Sequence, residues 1–485
     1  MQFPSPNPQL KIRTSWQDWF KEKRNLKNVV FKMSISSNPK SDDNKLGTKV
    51  EEIRVDNSGG GGSGSDLMGL LSDEILLMVL SRVPESQRKP NCLVCKRWLF
   101  LAGRLVRSVK VVDWGFVESG RLISRFPNLI DIDLSRACIG SAKTGSSGVL
   151  LTHRLVSVRL NHVDFVDFAA NRFVCDEKLV PSEAVERGLS VIANGCPNLR
   201  KLVLVSASEL GVSSVAEECP TLQELEIHRC DDSSLRGISG CLNLQVLKLI
   251  GFVDGVYSSV VSDIGLTILA HGCKRLVKLE LSGCEGSYDG IRAIGQCCQM
   301  LEELALSDHR MDGGWMAALS FCENLKTLKL QSCKRIDLNP GPLEHLGSCP
   351  TLERLHLERC QVRDKLSMEA LFRVCVAVRE VFFQDCWGLD NEMFSVASLC
   401  RRVKFLSLEG CSLLTTEGVE KVVLSWVELQ RLRVVSCNNI KGSEVTPALS
   451  SLFSVLKELK WRPDTRSLLA GTDLGRKGGR FFKRV

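Results

Sequence analysis

The amino-acid sequence predicts an α/β fold, in which a short helical hairpin precedes a solenoid of strand–helix units that build a curved parallel sheet with outer helices. Three observations predict it. An apolar residue, a second three positions later and a third two further on recur in thirteen segments, from Leu129 and Leu155 through to Leu429 and Leu456. Successive segments start 22 to 27 residues apart except across two longer gaps, a spacing that holds one strand and one helix per unit. Of the 21 cysteines, nine stand three residues before the first apolar position and seven stand eight residues after it, so most of them share the period of the repeat.

Residues 1–65 are expected to be mostly disordered. Within them, residues 14–33 space Trp16, Trp19, Phe20, Leu26, Val30 and Met33 as a short basic amphipathic helix. The Ser58–Asp66 stretch, SGGGGSGSD, has the composition of a flexible linker. The net charge of +8 lies at the ends: residues 1–65 carry 11 basic against 7 acidic side chains and residues 462–485 carry 7 against 2, leaving a body of −1. A neutral body with a basic tail over 462–485 argues against nucleic acid as a partner, because phosphate binding needs a basic face on the folded part. No apolar run reaches the length of a membrane span and no secretory leader is evident, so the expected location is cytoplasm, nucleus or both.

The hairpin is expected over residues 66–110. Ser72 is placed to cap a helix whose first turn holds Asp73 and Glu74, and Leu71, Ile75, Leu76, Val79 and Leu80 form its apolar stripe before Pro84 ends it. Pro90 is expected to open a second helix bearing Leu93, Val94, Trp98 and Leu101. Two short helices cannot bury this much apolar surface alone, so a partner surface is predicted. These residues resemble the F-box family, with Leu71–Leu76 standing where the family has Leu-Pro-x-Glu-Leu/Ile-Leu and LVCKRW at Leu93–Trp98; Ser72 replaces the usual Pro. The resemblance implies binding to a Skp-type adaptor, and through it a cullin, by Leu71, Ile75, Leu76, Val79, Leu93, Val94 and Trp98.

The repeat over residues 120–461, about thirteen units, resembles the cysteine-containing subclass of leucine-rich repeats. Together with the hairpin it is similar to plant-type F-box/leucine-rich-repeat proteins, the substrate-receptor subunits of SCF (Skp–cullin–F-box) ubiquitin ligases. The resemblance implies a non-catalytic adaptor that presents bound protein substrates for ubiquitination and proteasomal degradation. A protein-binding scaffold outside ubiquitination is the competing reading.

The residues between the buried strand positions are expected to face the concave side, where Arg354, His356, Phe382, Arg431 and Arg433 are candidate substrate contacts for an acidic or phosphorylated segment. The insertions after Leu155 and Leu244 offer a second candidate surface. No phosphate-binding loop, GxSxG or HExxH motif is present and the seven histidines lack ligand spacing, so no catalytic, cofactor or metal site is expected. The repeat cysteines recur singly, once per unit, as packing thiols rather than disulfides or zinc ligands.

Overall fold

The computed structural model describes residues 71–84, 87, 90–139, 149–151, 179–251, 261–337 and 339–463. The predicted helix at 14–33, the Gly/Ser linker, the repeat segment at Leu155, the central parts of both insertions and the tail beyond 463 lie outside them.

Sixteen strands are described: Ser108–Val111 (β1), Asp131–Asp133 (β2), Val149–Leu151 (β3), Lys201–Val205 (β4), Glu224–His228 (β5), Val246–Ile250 (β6), Lys278–Ser282 (β7), Glu285–Gly286 (β8), Glu303–Ser307 (β9), Arg310–Met311 (β10), Thr327–Gln331 (β11), Arg354–Glu358 (β12), Glu380–Gln384 (β13), Phe405–Glu409 (β14), Arg431–Val435 (β15) and Glu458–Arg462 (β16). Fourteen form one sheet in the order β16-β15-β14-β13-β12-β11-β9-β7-β6-β5-β4-β2-β1-β3, while β8 and β10 make a separate ribbon. Every rung is parallel to the next except β3, which lies antiparallel on β1. This is a leucine-rich-repeat solenoid.

The period-two pleat sorts each strand's side chains. In β12, Leu355 and Leu357 are buried while Arg354, His356 and Glu358 face the other side. The inward residues join one continuous apolar core that runs from Val109 to Leu449. Both cysteine positions of the repeat are buried, and their thiols lean on carbonyls of the preceding unit: Cys219 Sγ lies 3.3 Å from the Cys196 oxygen and Cys386 Sγ 3.3 Å from that of Leu357. All cysteines among the described residues are free thiols.

A left-handed residue follows most strands. Ser206, Arg229, Gly283, Asp308, Ser332, Arg359, Asp385, Gly410 and Ser436 have φ between 46° and 68°. The turn aims each one's N–H at the last carbonyl of the next rung, as from Arg359 to Gln384 at 2.7 Å, and so carries the ladder one bond past the strand.

The structure corrects the predicted boundaries in two places. The sheet begins at Ser108 with β1, N-terminal to the expected start at residue 120. Because β2 pairs directly with β4, Asp131 opposite Lys201, no rung lies between them, where the sequence predicts one.

Candidate protein-binding surfaces

The hairpin is built from α1 (Asp73–Arg82) and α2 (Lys96–Arg104). Ser72 Oγ caps α1 by accepting the Ile75 N–H at 3.4 Å, and Cys95 Sγ accepts the Trp98 N–H at the start of α2 at 3.4 Å. Arg97 ties the two helices, with Nε 2.8 Å from Asp73 Oδ1 and a terminal nitrogen donating to the Leu71 carbonyl. Leu76, Leu80 and Leu101 form a small core of their own, with Leu71, Leu77, Trp98 and Leu105 packed around it. The base of α2 sits tightly on the solenoid: a Cβ added at Gly103 would lie 2.3 Å from the Arg125 carbonyl oxygen, and Asn128 Nδ2 donates to the Arg104 carbonyl at 2.8 Å.

These contacts divide the seven expected adaptor residues. Ile75, Val79, Leu93 and Val94 are exposed, at 47, 46, 68 and 62%. Leu76 is wholly buried and Leu71 and Trp98 pack against the core, so these three hold the hairpin together instead of offering a contact face. Leu93 and Val94 precede α2, since that helix starts at Lys96 and not at Pro90 as expected; they stand in the turn before it. Sequence reasoning missed Met78 and Phe100, which are exposed at 59 and 50%. Met78 lies at i, i+3 from Ile75, a spacing that signals a shared face.

The second surface is the concave side of β9–β15. Parallel register sets Arg354 beside Glu380, Glu380 beside Phe405 and Phe405 beside Arg431, with Lys329, His356, Phe382, Ser407 and Arg433 in the adjacent row. All five predicted contact residues therefore share one face. Its centre is aromatic: His356 stacks on Phe382 with ring centroids 4.0 Å apart and planes 5° from parallel, Phe405 meets Phe382 edge-on at 5.1 Å, and the Arg431 guanidinium lies 4.4 Å over the Phe405 ring. The face encloses a cavity of about 450 Å³.

The cationic-patch expectation is corrected by the pairing around this cavity. Arg431 reaches Glu380 at 2.6 Å, Arg354 reaches Glu380 at 3.5 Å and Arg433 reaches Glu409 at 2.8 Å. Burial pushes the Glu303 carboxyl up, but the ammonium groups of Lys329 and Lys278, at 2.6 and 2.9 Å, outweigh it and hold Glu303 below the ordinary glutamate range. Burial, reinforced by Lys329, pushes the His356 pKa down to about 4, so the ring is neutral at pH 7. The result is an aromatic floor with a rim of alternating charge. Among the described residues no cluster of His, Cys, Asp or Glu has the arrangement of a metal site, and no helix is long and apolar enough to cross a membrane.

The fold and the hairpin together define an architecture: a leucine-rich-repeat solenoid preceded by a two-helix hairpin that leaves apolar side chains exposed. Known proteins resemble parts of the chain at low identity. The chain is 36% identical over 86 residues to the F-box protein SKIP19 of Arabidopsis thaliana, covering 18% of this chain and 28% of the relative. It is 25% identical over 226 residues to the F-box/LRR-repeat MAX2 homolog of Oryza sativa, covering 46 and 30%. It is also 26% identical over 175 residues to EEED8.10 of Caenorhabditis elegans, named for RNA binding, covering 34 and 23%. The chain thus spans less than a third of the length of each of these relatives. No family model matches it. Solved structures align only loosely: the plant peptide hormone receptor RGFR1 in complex with RGF2 at a TM-score of 0.32 and 15% identity over 70% of this chain and 44% of that one, and a Listeria monocytogenes internalin at 0.33 and 13% over 62 and 90%. The fold therefore rests on the sheet's own topology.

Proposed function

We propose that the chain is a substrate-receptor subunit of an SCF-type ubiquitin ligase, with the hairpin docking a Skp-type adaptor and the solenoid holding a protein substrate. The observation that carries this reading is that Ile75, Met78, Val79, Leu93, Val94 and Phe100 of the hairpin are all exposed although the hairpin has its own core. Six large apolar side chains left exposed within so short a segment point to a protein interface. The named F-box relatives support the same assignment. The chain performs no chemistry in this scheme. A conjugating enzyme carries ubiquitin as a thioester, a substrate lysine attacks it, and the receptor raises the effective concentration of that lysine. The concave cavity fits a substrate segment that brings an aromatic or apolar side chain to Phe382 and mixed charge to the rim. Because Arg354, Arg431 and Arg433 on this face are each paired with a carboxylate, the surface is poorly suited to a polyanion such as RNA.

Affinity purification of the full chain from cells tests the assignment. A Skp adaptor and a cullin should co-purify. Ile75→Asp with Val79→Asp should abolish that capture while the thermal unfolding midpoint of the solenoid stays unchanged, whereas Leu76→Asp should melt the hairpin itself. A wild-type chain that captures partners without any Skp adaptor would instead establish a scaffold outside ubiquitination.

A further inference from the structure

The last described rung differs from all the others in the C-terminal half of the sheet. The first inward leucine of each rung is sealed, with Leu355, Leu406 and Leu432 exposed by 0 to 1%, but the equivalent Leu459 of β16 is 37% exposed. The helix that precedes it, Pro447–Val455, ends in Val455 at 73% exposure, and Phe453 packs on Trp461 at 4.8 Å without closing the end. Among the described residues no strand pairs with the outer edge of β16. Glu458 donates its N–H to Gln430 and Arg462 accepts from Ser436, so the peptide groups of these residues turn toward β15. By the alternation of a β-ladder, Leu459 and Trp461 present theirs to the open side. An exposed, unpaired edge of this length is a template for another strand.

What that strand should be is written in β16 itself. Its sequence, Glu458-Leu459-Lys460-Trp461-Arg462, is its own antiparallel complement. With a second copy paired about Lys460, Leu459 of each chain meets Trp461 of the other through both peptide hydrogen bonds, which closes the open apolar end. On the concave side Glu458 of each chain meets Arg462 of the other, giving two opposite-charge cross-strand pairs. We infer that two copies of this chain associate edge to edge through β16, joining their solenoids into one continuous sheet about a two-fold axis. Such an isologous contact closes on itself and ends the assembly at two. The only mismatch in the register is Lys460 opposite its own copy, and that mismatch makes the register testable.

Sedimentation of the full chain at micromolar concentrations should show a monomer–dimer equilibrium. Glu458→Arg alone sets arginine against arginine and Arg462→Glu alone sets glutamate against glutamate, so each variant by itself should sediment as a monomer. Mixed in equal amounts, the two variants restore both opposite-charge pairs and should form a heterodimer. Lys460→Thr removes the like-charge pair and should tighten the dimer several-fold. A monomeric wild-type chain overturns the inference, whether the edge stays open or residues beyond Arg462 occupy it. A dimer that neither single variant weakens overturns it equally. Circular dichroism of each variant, expected to match the wild type, separates lost pairing from lost folding. None of these outcomes depends on adaptor binding.

Discussion

His356 shows how one side chain's surroundings set both its charge and its contribution to stability. Packed against Phe382 and pushed to a pKa of about 4, it stays neutral where an unfolded histidine, with a pKa near 6.5, has already taken a proton. Between pH 6.5 and 4 the unfolded chain binds a proton that the folded one refuses, so stability falls as pH drops through that window and levels off below it. His309, buried beside Trp315 and also pushed to about 4, adds to the same loss. Thermal midpoints should decline from pH 6.5 to 4, and His356→Gln should flatten the decline; a His356 resonance titrating near 6.5 would contradict it. Cys333, wholly buried, behaves as a small apolar residue, and Cys333→Ala should cost about 1 kcal/mol in a denaturant titration. At this scale the sequence placed Arg354, Arg431 and Arg433 on one face but not their partners, because Glu380 and Glu409 arrive from other rungs, one or two away, and are seen only once the register between rungs is drawn. The exchange of roles between Leu76 and Met78 has a similar cause. Apolar spacing marks both sides of a short helix and does not say which side meets its own hairpin.

Among the elements, the turn that follows each strand is the feature the sequence disguised. Its left-handed residue is Gly at positions 283 and 410 but Ser, Arg or Asp elsewhere, so no glycine rhythm announces it. A non-glycine residue there carries strain on the order of 1 kcal/mol that the ladder bond to the next rung offsets. Ser332→Gly should therefore raise stability by up to about 1 kcal/mol, while Gly410→Ala, whose Cβ would also crowd Asp385, should lower it by about 1 to 2 kcal/mol. Chemical denaturation of the two variants checks both signs. Strand positions were far more legible than turns, since burial of two alternate leucines per rung imposes a fixed spacing. Even β1 obeys it, with Val106, Val109 and Val111 at the template offsets, but valines beside the hairpin carried too little contrast to separate the first rung from the helix before it.

Taken whole, the molecule is a one-dimensional stack in which each rung touches its neighbours, so damage should propagate locally. Phe383 joins two neighbouring units through Phe372 and Phe394, and Phe394 reaches on to Trp426 in the next. Phe383→Ala should cost about 3 to 5 kcal/mol. It should also uncouple the C-terminal rungs, so that amide protons of β14 and β15 exchange well before those of β5 and β6. The period itself was the most legible property of the chain, because every unit repeats the same packing problem. The aromatic cavity and the open edge at β16 come from departures from the period and needed the structure to be seen. The stacked thiols have a different consequence. Burial pushes Cys219 up to about 11 and Cys322 and Cys400 up to about 12, so the folded chain holds almost no reactive thiolate there at neutral pH. Unfolding returns these groups to the ordinary thiol range near 8.5, all along one strand of polymer and close enough in sequence to cross-link. Under oxidising conditions the chain thus keeps a memory of having unfolded: an excursion that is reversible in the presence of reductant becomes a ratchet in air, and the first loss of structure is the step that makes the second permanent.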